Sequence, residues 1–130
     1  MIKFGYTILY VQNVLKTIEF YENAFGFKRT FITPDGTYGE LATGETTLSF
    51  ASVTLAKSNL TNGFVESSLK DKPFGIEIAI VTDEVETTIQ SAVKAGATIV
   101  ENAKEKPWGQ VVAYVRDPDG FLIEICSPMN

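Results

Sequence analysis

Apolar and polar positions alternate along this chain in short blocks punctuated by glycine, proline and asparagine. The first eleven residues, rich in Ile, Phe, Tyr, Leu and Val, read as a strand. Asn13 is placed to cap a helix over Val14–Phe25, where Leu15, Ile18 and Tyr21–Glu22 supply helical spacing and Gly26 the stop. Phe27–Thr33 reads as a second strand, ended by the turn Pro34-Asp35-Gly36. Thr37–Ala42 and Thr46–Ser52 follow as a hairpin around Thr43-Gly44-Glu45. Residues 53–73 lose the pattern and read as a long covering loop or a connector. The pattern then restarts: a strand over Phe74–Val81, a helix from Asp83 through Ala95 ended by Gly96, and strands over Thr98–Asn102, Gln110–Arg116 and Phe121–Cys126.

The two halves match as text. Tyr6-Thr7-Ile8-Leu9 precedes Val14, Thr17 and Ile18, and Glu77-Ile78-Ala79-Ile80 precedes Val85, Thr88 and Ile89 at a constant offset of 71 (77 − 6, 85 − 14, 88 − 17). The economical reading is an internal duplication of a βαβββ unit. It predicts one α+β domain over 1–130, made of modules at about 1–52 and 74–127 joined by the loop 53–73.

Strand parity sorts the side chains into two faces. Leu9 and Val11 suit packing beneath a helix, which leaves Phe4, Tyr6, Ile8 and Tyr10 on the other side. Ile76, Ile78 and Ile80 form an apolar face and turn Glu77, Ala79 and Val81 away. Phe121, Ile123 and Ile125 do the same to Leu122, Glu124 and Cys126, and Leu48 and Phe50 to Thr47, Ser49 and Ala51. Each sheet is therefore expected to have one apolar face for its helix. Its other face mixes aromatics, small residues and carboxylates, and suits a cavity.

Charge and composition narrow the chemistry. Sixteen acidic against eleven basic residues leave a net charge of −5, which disfavours nucleic acid and anionic lipid as partners. The absence of histidine excludes His-based triads and imidazole metal sites. A single cysteine, Cys126, excludes an internal disulfide and reads as a small buried hydrophobe. No signal-type leader or spanning apolar run is present, so a cytoplasmic protein without a membrane partner is expected.

The duplicated unit resembles the vicinal oxygen chelate superfamily, the glyoxalase / bleomycin resistance protein / dioxygenase group. The resemblance covers essentially the whole chain. It rests on Leu9-Tyr10-Val11-Gln12-Asn13 leading into Phe20-Tyr21 and Phe25-Gly26-Phe27, on Pro107-Trp108-Gly109-Gln110, and above all on Val115-Arg116-Asp117-Pro118-Asp119-Gly120 feeding Phe121-Leu122-Ile123-Glu124-Ile125. It implies two βαβββ modules curling as mostly antiparallel sheets around a cleft, commonly in a homodimer.

Enzymes of that group hold a divalent metal on the first and last strands of each module. Those positions fall here on Tyr6, Ser49, Glu77 and Glu124, the residues that parity assigns to the mixed faces. Tyr6 stands where His or Gln is usual, and Ser49 where Glu is usual. The resulting all-oxygen set is weak for zinc, nickel or ferrous iron and offers at most a weak divalent site on Glu77 and Glu124. No tightly bound cofactor is expected, and an iron dioxygenase is excluded because its 2-His-1-carboxylate site cannot be built.

What remains resembles the bleomycin-resistance branch, which implies a small, largely apolar or aromatic ligand. Tyr6, Tyr10, Ser49, Trp108 and Tyr114 are the candidate binding residues, with Phe64 as a lid. Relatives often carry Arg two residues after the Gly109 position, where this chain has Val111, so a strongly anionic ligand is disfavoured. The alternative is a lactoylglutathione-lyase-like lyase or isomerase using Glu77 and Glu124 as a general acid/base pair.

Overall fold

The computed structural model describes residues 1–129. The chain runs β1 (Thr7–Val11), α1 (Val14–Phe25), β2 (Lys28–Ile32), β3 (Tyr38–Ala42), β4 (Thr47–Ser52), α2 (Val53–Asn59), β5 (Glu77–Val81), α3 (Val85–Ala95), β6 (Thr98–Glu105), β7 (Val111–Arg116) and β8 (Leu122–Cys126). This is an α+β fold with two four-stranded open sheets, ordered β1-β4-β3-β2 and β5-β8-β7-β6. In each, the first and last strands of the module pair in parallel and the remaining ladders are antiparallel. The pairing repeats between the units: Ile8 pairs with Ser49 and Ala79 with Glu124, 71 apart on the first strands (79 − 8) and 75 on the last (124 − 49).

By internal contacts the chain falls into two compact units, Met1–Glu22 with Gly26–Glu66, and Asn23–Phe25 with Ser67 onward. In the first unit, Asn13 accepts a hydrogen bond from the Lys16 amide at 3.0 Å, and Gly26, in the left-handed region at φ 73°, ends α1. Val14, Ile18 and Tyr21 form the buried stripe of α1, and Leu9, Val11, Leu41, Leu48 and Phe50 are buried on one face of its sheet. The Tyr21 and Phe50 rings meet at 5.3 Å. In the second unit, Val85, Ile89 and Ala92 of α3 and Ala113, Val115, Ile123 and Ile125 of β7 and β8 are buried. Truncating any one of the large aliphatic residues in these stripes to Ala costs about 2–5 kcal/mol.

Three expectations are corrected. The segment 53–73 is not structureless: Ser52 Oγ accepts from the Leu55 amide at 3.0 Å and starts α2, anchored by buried Val53 and Ala56. Two apolar anchors in seven residues leave too little periodicity to read. The strand expected from Phe74 begins at Glu77, because its parallel partner offers nothing before Leu122. Ile76 therefore lies outside the sheet and is exposed, not part of an apolar face. The helix expected from Asp83 begins at Val85, with Thr82 Oγ1 accepting from the Glu84 amide at 3.0 Å.

The Asp117–Gly120 turn ties the later part of the connector to the sheet. Asp117 is buried and its Oδ1 accepts from the amides of Asp119 and Phe121, both at 2.9 Å. Beside it the Arg116 guanidinium donates to three carbonyls, of Asp71 at 2.7 Å and of Ser68 and Gly120 at 2.9 Å. Gly120 is required here: a Cβ would lie 2.8 Å from the carbonyl carbon of Ser68, and φ is +95°.

Candidate functional site

In the second unit the period of two puts Glu77, Glu124, Tyr114 and Cys126 on one face of the sheet, opposite α3. Tyr114 lies directly across from Glu124 and its hydroxyl donates to Glu124 Oε1 at 3.2 Å. Burial, and next a hydrogen bond and charge repulsion from Glu124, hold the Glu77 carboxyl above the usual carboxylate range. Glu77 itself stays exposed, so the two carboxylates interact at a solvent-facing surface. Desolvation also raises the Tyr114 phenol, with the charges of Glu77 and Glu124 adding to it. Cys126 is buried and its thiol is pushed up to about 11, by burial first and then by Glu124. Such a thiol is neutral at pH 7 and no nucleophile.

In the first unit the corresponding face carries Ser49, fully buried, between Ile8 on β1 and Glu40 on β3. Glu40 is a carboxylate that the sequence reading overlooked. The alternation Tyr38-Gly39-Glu40-Leu41 signals it, since Leu41 is buried on the helix side and Glu40 must face the other way. Tyr38 shares that face and donates its hydroxyl to Glu40 Oε2 at 3.0 Å. Burial raises the Tyr38 phenol; nearby Ser49 offsets this in part, and Glu40 adds to it. Ser49 Oγ itself is buried beside the Tyr38 hydroxyl.

The remaining candidates are spread more widely. Tyr10 and Phe64 stack against each other with ring centroids 4.7 Å apart. Tyr6 stands one residue before β1 and is 52% exposed. Trp108 is not part of either face: it lies 62% exposed in the turn between β6 and β7, its indole N–H donating to Gln110 Oε1 at 2.9 Å. An open groove of about 380 Å³ runs between α3 and β6 past Ile89, Val93 and Ile99 and contains none of the candidates. Among the described residues no helix is long and apolar enough to cross a membrane.

Among the described residues none of Glu40, Glu77 and Glu124 has a cationic partner, and ion pairs join Arg29 to Glu22 and Lys57 to Glu66. Each mixed face thus presents a tyrosine hydroxyl bound to an uncompensated carboxylate.

Comparison with known proteins agrees with this architecture. A family model for the Glyoxalase/Bleomycin resistance protein/Dioxygenase superfamily matches residues 3–125. Among solved structures, the chain is similar to a glyoxalase-related enzyme from Fulvimarina pelagi, with 21% identity over 98% of this chain and 89% of that one and a TM-score of 0.82. It is similar to a hypothetical protein from S. aureus, with 22% identity, coverage of 98% and 95%, and a TM-score of 0.81. A glyoxalase/bleomycin resistance protein/dioxygenase family enzyme from Burkholderia phytofirmans PsJN follows at 22% identity, coverage of 95% and 96%, and a TM-score of 0.78. At these identities the likeness is one of fold. No curated protein matches the sequence.

Proposed function

Because the chain belongs to the glyoxalase/bleomycin resistance protein/dioxygenase superfamily, we propose that it binds a small, largely apolar or aromatic molecule on its mixed sheet faces without a tightly held metal. The observation that carries this reading is the pairing of a tyrosine hydroxyl with a carboxylate on each face, Tyr38 with Glu40 and Tyr114 with Glu124. Aromatic walls such as Tyr10 and Phe64 hold flat ligands, because stacking adds about 0.5–1.5 kcal/mol to burial. The polar pairs then orient the bound molecule. In this reading the working form is a cytoplasmic homodimer.

The donor set supports the metal-free reading. Enzymes of the family carry a divalent metal at positions that fall here on Tyr6, Ser49, Glu77 and Glu124. Ser49 is walled in and Tyr6 lies outside β1. Among the described residues no group of three or more His, Cys, Asp or Glu is arranged to hold a metal ion. These residues do not fit a closed transition-metal site, and no step is routed through one.

Native mass spectrometry of protein fresh from cells tests the proposal by reporting subunit count and any retained compound together. A thermal-shift series with Mn²⁺, Ni²⁺, Zn²⁺ and Mg²⁺ accompanies it. An organic adduct and no metal-dependent shift are expected. A stoichiometric metal, or a large shift with one ion, overturns the reading.

The interaction between Glu77 and Glu124 favours one second reading, a glyoxalase-type lyase or isomerase in which the pair shares a proton. One carboxyl then removes a proton from a carbon next to a carbonyl while its neighbour returns one. Methylglyoxal–glutathione turnover that disappears in Glu124→Gln decides for it.

A further inference from the structure

The corner where the helix meets the outermost strand of its sheet is closed differently in the two units. In the first, Arg29 on β2 pairs with Leu41, which is buried on the helix side. Arg29 therefore rises on that side too, and its guanidinium donates to both oxygens of Glu22 on α1, at 2.9 and 2.8 Å. An ion pair seals that corner. In the second unit Ile99 on β6, paired with buried Val115, stands in the place of Arg29. Counted from the first residue of each helix, Val93 stands in the place of Glu22 (22 − 14 and 93 − 85). The charged pair has become an apolar one, and Val93 and Ile99 are 42% and 43% exposed. They border the open groove of about 380 Å³ between α3 and β6. One helix, about 10 Å across, cannot cover four strands spaced by about 4.8 Å, so the flank above β6 has room for a second.

The rim of the groove specifies which helix fits. Glu86, Gln90 and Lys94 are exposed and follow at i, i+4 and i+8 along α3, which makes one row with an anion at one end, a cation at the other and a neutral amide midway. Among the described residues neither Glu86 nor Lys94 enters an ion pair. Such a row is complementary to itself when reversed. Two α3 helices laid antiparallel, with a twofold axis at Gln90, oppose unlike charges at both ends and take Val93 and Ile99 out of water together.

We infer that two copies of this chain associate through the α3–β6 groove, their α3 helices antiparallel and Glu86 of each opposite the partner's Lys94. The inference rests on the homodimer proposed above and adds where the two copies meet.

Sedimentation velocity of the full chain over a concentration series tests this with three variants. Glu86→Lys and Lys94→Glu each set like charges against one another at both ends of the row, and each should weaken association about tenfold. An equimolar mixture of these two variants should associate at least as tightly as the unaltered chain, because every crossing pair is again of opposite sign. Val93→Glu/Ile99→Arg copies the pair that seals the first unit and should leave a folded monomer with unchanged circular dichroism. The charge reversals lie at exposed positions and carry the test if that double variant does not fold. A dimer that all three variants leave intact overturns the surface while the homodimer stands. A chain that is monomeric at every concentration overturns both. Dissociation by each reversal without recovery in the mixture overturns the antiparallel pairing. A monomer that retains a compound in native mass spectrometry, and loses it in Val93→Glu/Ile99→Arg, assigns the groove to a small molecule and overturns the inference.

Discussion

Tyr114 and Glu124 face each other across the β7–β8 ladder, joined by a 3.2 Å hydrogen bond from the phenol to the carboxylate. The bond anchors Glu124 where it also acts on Glu77. Removing the Glu124 charge by Glu124→Gln should therefore lower the Glu77 pKa. It should remain above its ordinary value of 4.5, because burial is the larger cause of the shift. Carboxyl ¹³C titration by NMR follows both steps. A Glu77 pKa unmoved by the substitution contradicts the interaction.

A raised folded-state pKa has a defined sign in stability. Between 4.5 and its folded value, Glu77 binds more protons in the native chain than in the unfolded one. Its contribution is fully present below that window and is lost as pH rises through it. Relative to Glu77→Gln, the unaltered protein should gain stability on acidification, by less than about 1 kcal/mol because Glu77 is exposed to screening solvent. Glu22, held low chiefly by its hydrogen bond to Arg29, has the opposite sign and is common to both proteins. Urea midpoints from pH 7 down to pH 4 give the difference.

Arg116 is buried and its guanidinium satisfies three carbonyls from two separate loops. Arg116→Lys keeps the charge but not the planar fork, and should cost about 2–4 kcal/mol, on the scale of hydrogen bonds to charged groups. Amide exchange at 68–71 should quicken in the same variant. A loss under about 0.5 kcal/mol, the size of an ordinary surface change, speaks against the clamp.

Gly120→Ala presses a methyl group against the Ser68 backbone and strains a left-handed residue. A loss of more than about 1 kcal/mol is expected. The melting temperature reads it.

Cys126 should resist alkylation in the native protein at pH 8, since it is buried and its thiol titrates at about 11. Iodoacetamide should label it rapidly only in denaturant. Fast native labelling contradicts its placement.

Much of this arrangement was readable before any coordinates. Asn13 and Gly26 announce the ends of α1 because capping is local chemistry. Parity separates Glu124 from Ile123 and Ile125 because a strand alternates without exception between bulges. Glu40 escaped although the same rule reaches it, because Tyr38, Gly39 and Ala42 leave Leu41 as the one large aliphatic residue on its strand and no apolar alternation to follow. α2 escaped because about two turns anchored by two residues have no period to detect. The task of Arg116 was beyond reach for another reason: two of its three partners lie 45 and 48 residues away, and only chain geometry brings them there.

The carboxylates of the two units sit on different strands, Glu40 on β3 but Glu124 on β8, while a hydroxyl fills the opposite place in each case, Ser49 on β4 and Tyr114 on β7. A negative charge has in effect stepped sideways by one ladder between two units of matching topology, without leaving its plane. Lining up the units letter by letter sets Glu against Tyr and Ser against Glu, and makes them look chemically unrelated. The difference between such units is better followed by tracking what each plane offers than by comparing columns.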